Sequence, residues 1–315
     1  MQIIDFHTHL FPAKISRRVL TRLALACRSL PCTEGTAEAL SASMEKAGVT
    51  YSVDLPVMTR ADQVEKVNDS LVRGRDYYRG LGIITFGGMH PDYGIGTGSP
   101  AWIESQRRKI RTELTGLKDA GIRGIKIHPA YQGRNLDDLS MMRVIDIASD
   151  LGLIVVTHAG LDIGIYDHNY ADTAMALRVL DQVRPEKMVF AHMGGWAGWE
   201  AVEQDLAGAP CWFDTAFSLG DITPYDPGHK PEYLRYQGDD EESVPKKQEP
   251  IRLHQLSDSA FVRLCRKHGT DRILFATDSP WADQGQYVEK IKTLPFTEKE
   301  KEQILSENAL QLLEC

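Results

Sequence analysis

Cysteine is scarce and odd in number. The five in 315 residues are Cys27, Cys32, Cys211, Cys265 and Cys315, too few and too irregularly spaced for a disulfide framework. No apolar run approaches the roughly 20 residues that a membrane-spanning helix needs. Positive charge is also short: 36 Lys and Arg against 44 Asp and Glu give a net charge of -8, mixed along the chain. A nucleic-acid footprint would need a basic face, so no nucleic-acid and no membrane partner is expected. The opening residues lack the basic, apolar and small-residue pattern of a secretory signal, so a cytoplasmic location is expected. The glycine-rich phosphate turn that follows the first strand of a dinucleotide-binding sheet is missing too.

Apolar residues make up 42% of the chain, enough for a large core. Short hydrophobic runs predict strands at Ile3–His7, Tyr51–Leu55, Leu81–Phe86, Gly124–Ile127, Leu153–His158, Lys187–His192, Cys211–Thr215 and Arg272–Thr277. Amphipathic stretches between them predict helices at Ala37–Ala47, Asp62–Tyr78, Trp102–Ala120, Leu139–Leu151, Tyr170–Val183, Trp196–Ala207, Ser257–His268 and Gln284–Lys292, with a last helix over Thr297–Leu313. Glycine follows several of these helices, as in KAGV, DAGI, DLGL and KHGT, where a left-handed cap turns the chain into the next strand. This alternation predicts an α/β fold, a single (β/α)8 TIM barrel that spans residues 1–315 as one domain.

Two segments interrupt the rhythm. Leu10–Glu34 follows the first predicted strand and holds a basic, apolar helical patch; Ser218–Gln255 follows the seventh and is polar and proline-rich. Loops of this length are commonly functional, and both leave the face where barrel enzymes build their sites. They are expected to cover the substrate.

Ionisable residues gather at the same ends of the strands. His7 and His9 close the first strand, in IIDFHTH, where alternation puts both on one face. His90 follows the third strand. Lys126 and His128 lie at the fourth, in GIKIHP, His158 ends the fifth, His192 the sixth, Asp214 lies at the seventh and Asp278 at the eighth. Polar side chains ending apolar strands are costly if unpaired, and a barrel brings all of these ends to one mouth. Three or four imidazoles with a carboxylate suit a divalent cation such as Zn, Mn, Fe or Co. The remaining histidines, His168, His229, His254 and His268, are not expected to bind metal; His268 ends a helix, placed to meet its dipole. Cys27 and Cys32 form a C-x4-C pair without a second pair and are expected to serve packing.

The pieces IIDFHTHLFP, GIKIHP, VVTHAG, VFAHMGG and ILFATDSPW, with the late SENALQLL, occur in an order that resembles the amidohydrolase superfamily. The resemblance is to its amidohydrolase-related branch, which holds aminocarboxymuconate-semialdehyde decarboxylase, resorcylate decarboxylase and many hydrolases. It implies one divalent metal, zinc first, held by His7, His9, His158 and Asp278. It also implies that Asp278 is the general base and that His192 orients or polarises water and substrate. In binuclear members of the superfamily a carboxylated lysine bridges two metals; here Lys126 is expected to line the pocket of a mononuclear site instead. His128 is expected to touch substrate or support the ligands. The implied activity is metal-dependent hydrolysis of a small carbonyl compound, amide, ester or lactone. The alternatives are non-oxidative decarboxylation of a small aromatic or muconate-like acid, and a metal-binding scaffold without activity. Arg17, Arg18, Arg22 and Arg28 are candidates to hold a substrate carboxylate. A small carboxylate is the expected partner, and a homo-oligomer the expected assembly by analogy with relatives.

Overall fold

A computed structural model describes residues 1–95, 101–225 and 254–314. Among these residues nine short strands run parallel: β1 (Ile4–Thr8), β2 (Tyr51–Asp54), β3 (Ile83–Thr85), β4 (Gly87–Gly88), β5 (Gly124–Ile127), β6 (Ile154–Thr157), β7 (Met188–Phe190), β8 (Trp212–Asp214) and β9 (Ile273–Leu274). Hydrogen bonding orders them β1-β2-β3 and β4 through β9. β3 and β4 are two halves of one stave, separated at Phe86, whose N–H still bonds Asp54 O at 3.0 Å. The chain beyond β9 returns to β1. Phe6 N–H bonds Phe275 O at 2.8 Å, Asp278 N–H bonds His7 O at 2.9 Å, and Thr8 bridges Ser279 in parallel. Eight staves therefore form the barrel.

Alternation sorts the side chains of each stave. Ile154 and Val156 face an inner cluster with Ile4, Phe6, Val53, Phe86, Val189 and Leu274, whereas Val155, Phe190, Phe213 and Ile273 join the larger layer beneath the helices. The final described helix (Asn308–Leu313) places Ala309, Leu312 and Leu313 in the inner cluster, closing one end of the barrel with apolar atoms. Asn308 Nδ2 holds it there by donating to Thr270 O and Ile273 O, each at 2.7 Å.

Most predicted helices are present, and α2 keeps its predicted bounds, Ala37–Ala47. Its N-cap is Thr36, whose hydroxyl accepts from Ala39 N–H, and Gly48 ends it at φ +71°, a conformation that favours glycine. The last predicted strand is shorter than Arg272–Thr277 because side chains take over its ladder: Ala276 N–H bonds Thr215 Oγ1 at 2.8 Å. The predicted Trp196–Ala207 helix shrinks to Trp199–Ala201 followed by a wider turn over Val202–Leu206, where Ala207 N–H reaches Val202 O at 2.8 Å.

The first long segment folds into helix α1 (Ala13–Cys27) and then runs back across the mouth. There Leu30 N–H bonds Thr223 O at 2.7 Å and Tyr225 N–H bonds Arg28 O at 2.8 Å. The two long segments thus hold each other. His229, Cys315 and residues 226–253 of the second segment lie outside the described residues. Among the described residues no helix is long and apolar enough to cross a membrane.

Candidate metal centre

Strand alternation alone would turn His7 outward with Ile3 and Asp5. A β-bulge prevents this. Asp5 pairs with Ser52 but Thr8 with Asp54, so β1 holds one residue more than β2 over that interval. Phe6 stays in the inner cluster, its ring 5.9 Å from that of Phe86, and His7 reaches Asp214 across the mouth. The expectation that plain i, i+2 spacing pairs His7 with His9 is corrected to this extent: the two rings meet, through the bulge.

Two further residues owe their direction to unusual backbone. His192 has φ +58° and Asp278 has φ +69°, left-handed conformations that non-glycine residues adopt rarely and mainly where surrounding structure enforces them. His192 is held by its own N–H, which bonds Asp214 Oδ1 at 2.8 Å, and Asp278 by its N–H on His7 O. Lys126 needs no such device: it alternates between Ile125 and Ile127 and points inward, with 1% of its surface exposed.

The second ring nitrogens fix the tautomers. His7 Nδ1 donates to Asp214 Oδ2 at 2.8 Å, and His9 Nδ1 donates to Leu55 O at 2.7 Å, because a carboxylate and a carbonyl can only accept. His7 Nε2 then turns its lone pair toward His9 Nε2, 3.2 Å away. His192 Nδ1 donates to Ala216 O at 2.9 Å and His158 Nε2 to Leu161 O at 3.1 Å, so His192 Nε2 and His158 Nδ1 also face each other as lone pairs, at 3.0 Å. Burial, reinforced by Lys126 and neighbouring imidazoles, holds His7 and His158 well below the usual imidazole range and takes His192 to about 3, so these rings are neutral. Asp278 Oδ1 joins the first pair, 3.1 Å from His9 Nε2 and 3.5 Å from His7 Nε2.

Acceptors that converge without protons between them are electrostatically unfavourable unless a cation lies among them. One internal cation is Lys126, whose Nζ stands 3.2 Å from His7 Nε2. Burial lowers its ammonium to about 8, against the opposing pull of Asp214, Asp278 and Asp162. The donor set therefore fits a divalent ion of the Zn, Mn, Fe or Co type.

Of the four expected ligands, His7, His9 and Asp278 form one group whose ligand atoms lie within 4.8 Å of one another. His158 stands in an adjoining group with His128 and Asp162, its ring stacked on that of His128 at 4.4 Å and its free nitrogen turned to His192. His128 accepts from Tyr131 N–H on Nδ1 and turns Nε2 to Asp162 Oδ2 at 3.6 Å. Asp214, which by sequence is as weak a candidate as His90 because either could merely stabilise a loop, is fully buried and organises two of the histidines at once, the His7 ring and the His192 backbone. Its only sequence signal is an acid at the end of an apolar strand.

The other candidates lie elsewhere. His90 Nδ1 accepts from Asp92 N–H within its own loop, and His168 bonds Asn135 Oδ1 at an exposed position. His254 packs edge-on against Trp196. His268 does not serve the helix dipole as expected: its neutral ring is buried against Phe213 at 3.8 Å, accepts from Gly208 N–H and donates to Cys211 O. Cys27 is buried near Tyr131, Cys32 is exposed and bonds Trp281 O, so the C-x4-C pair does not converge. Arg17, Arg18 and Arg22 are exposed on α1.

A family model described as amidohydrolase matches residues 4–314. No curated protein matches the chain in sequence. Solved structures do. 5-Carboxyvanillate decarboxylase from Sphingomonas paucimobilis is 14% identical, with 99% of each chain covered and a TM-score of 0.61. A dihydroxybenzoic acid decarboxylase from Polaromonas sp., solved with manganese and 2-nitroresorcinol, is 13% identical over 99% of this chain and 97% of that one, with a TM-score of 0.63. The 2,6-dihydroxybenzoate decarboxylase from Rhizobium is 13% identical over 100% and 99%, with a TM-score of 0.60. At such identities the likeness establishes the shared barrel fold.

Proposed function

The chain belongs to the amidohydrolase family, and from that premise we propose that it is a metal-dependent enzyme that removes CO2 from a small aromatic or muconate-like carboxylic acid. The observation that carries this reading is the pairing of converging imidazole lone pairs with a buried ammonium. His7, His9, His158 and Asp278 would hold one divalent ion, zinc first, with manganese, iron or cobalt as alternatives. When bound, the ion supplies Lewis-acid polarisation of substrate oxygens.

The chain's own residues do the rest. Lys126, still largely cationic at neutral pH, attracts a carboxylate into the mouth, and is assigned to substrate rather than to bridging a second metal. His128, next inward on the same stave, contacts substrate or steadies His158. The carbon that loses CO2 must gain a proton, and Asp278 Oδ1, beside His9, is the group placed to carry it. His192, fixed by Ala216 O and Asp214, orients the reacting group. The decarboxylases named above share this fold and act on acids of that class, which supports the choice of reaction.

A second reading, hydrolysis of a small amide, ester or lactone, is favoured by the 13% exposure of the Asp278 side chain, which lets its carboxylate meet solvent water. The test is a panel of hydroxybenzoates and muconate-like acids, followed by CO2 release from metal-loaded protein. CO2 release supports the proposal. Cleavage of esters or lactones without CO2 release selects the hydrolase, and turnover of neither panel selects the inactive scaffold.

A further inference from the structure

We propose that Asp5 is a positioning residue for the metal centre, a buried carboxylate that sets the two strand ends carrying His7, His9 and Asp278. This rests on the metal centre proposed above. Asp5 is fully buried on the outward side of β1, away from the mouth. Its Oδ1 accepts from His7 N–H at 3.3 Å, within the bulged stretch of β1, and from Thr277 N–H at 3.0 Å. Its Oδ2 accepts from Thr277 Oγ1 at 2.6 Å and from Gln284 Nε2 at 2.8 Å. Thr277 Oγ1 in turn accepts from Ser279 N–H at 3.1 Å.

The carboxylate therefore ties the segment Thr277–Ser279 through Thr277, directly at its N–H and hydroxyl and by way of that hydroxyl to Ser279 N–H, and Asp278 lies between them with φ +69°. The same two strand ends are stitched a second time in front, where Asp278 N–H bonds His7 O at 2.9 Å and His9 N–H bonds Ser279 O at 2.7 Å. A residue that only stabilised the fold would not need to bond the backbone of one candidate ligand and flank another. Asp5 touches neither the mouth nor the reacting groups; it acts through His7 and Asp278, and losing it would loosen their relative placement. Outer partners of this kind tune metal affinity by about 10–100-fold.

The experiment measures binding of Zn, Mn and Co by calorimetry, and the visible spectrum of the Co form, for wild type, Asp5→Ala and Asp5→Asn. Thermal midpoints of the metal-free proteins are recorded alongside. Asp5→Ala is expected to weaken binding at least about tenfold and to alter the Co spectrum. Asp5→Asn is expected to bind within about threefold of wild type: its oxygen can still accept the two N–H groups, and Gln284, whose Oε1 is buried without a partner, can turn its amide to receive the new NH2. If Asp5→Ala does not fold, Thr277→Val carries the test, since it removes the hydroxyl through which Asp5 Oδ2 reaches Ser279 N–H while leaving the carboxylate its two N–H donors and Gln284, and about threefold or greater weakening is expected. Folded Asp5→Ala, or in its place Thr277→Val, with unchanged affinity and spectrum would refute the positioning role while leaving the metal centre intact. Wild-type protein that binds none of the three ions would refute the metal centre, and this inference with it.

Discussion

His158 Nδ1 and His192 Nε2 face each other at 3.0 Å, while the other nitrogen of each ring is spent on a backbone carbonyl. Neither ring has a proton to offer the other. His7 Nε2 likewise turns a lone pair toward His9 Nε2, so three lone pairs converge in one mouth with the buried Lys126 ammonium beside them.

Metal removal should therefore be visible as lost stability. Ligand present at 100 times its Kd stabilises a fold by about 2.7 kcal/mol. Stripping with a chelator is expected to lower the thermal midpoint, and readdition of Zn or Mn to restore it. His9→Ala should show neither response, as followed by scanning calorimetry. A His9→Ala midpoint that still rises with metal would place the ion elsewhere.

Asp214→Asn keeps the volume but weakens the acceptor of His7 Nδ1 and of His192 N–H. An amide that turns its NH2 toward His7 would favour the tautomer that puts the proton on Nε2, facing His9. Metal affinity is expected to fall about 10–100-fold, measured by competition with a chromophoric chelator. Affinity within error of wild type would exclude this role.

Asp278→Asn should retain the fold, and on whichever substrate is turned over kcat should fall by about 10²–10⁴ if Asp278 carries the proton. The KM should move much less than kcat. Full activity in this variant would remove Asp278 from the chemistry under both proposed reactions.

His268 gives a prediction about pH that is independent of the metal. Burial, with the Arg272 charge adding to it, pushes its imidazole down to about 4, against about 6.5 in an unfolded chain. Above pH 6.5 neither state carries the proton and the contribution is complete. As pH falls from 6.5 to 4 the unfolded chain is protonated first, and stability on the order of 3 kcal/mol is lost. Urea unfolding of wild type and His268→Gln across this window should show a flatter pH dependence in the variant. Equal slopes would contradict the burial argument.

The barrel was legible because its staves are short apolar runs, such as LIVVTH and KMVFAH, whose parity and spacing need no tertiary information. Lys126, between two isoleucines, shows the same transparency. What alternation could not show is where the backbone leaves it. The bulge that redirects His7 costs one residue of register against β2, and nothing in IIDFHTH announces it. The left-handed turns at His192 and Asp278 are held by their own N–H groups donating to acceptors on distant residues, the Asp214 carboxylate and the His7 carbonyl. The role of Asp214 is hidden for the same reason, since an acid at a strand end looks alike whether it steadies a loop or two imidazoles.

The backbone bonds between the two long segments, Leu30 to Thr223 and Arg28 to Tyr225, mean that neither is an independent module. Replacing one segment with that of a relative would leave unmatched main-chain groups on the other. New substrate preference in this scaffold should therefore come from paired exchange, the two segments being inherited and engineered as a unit.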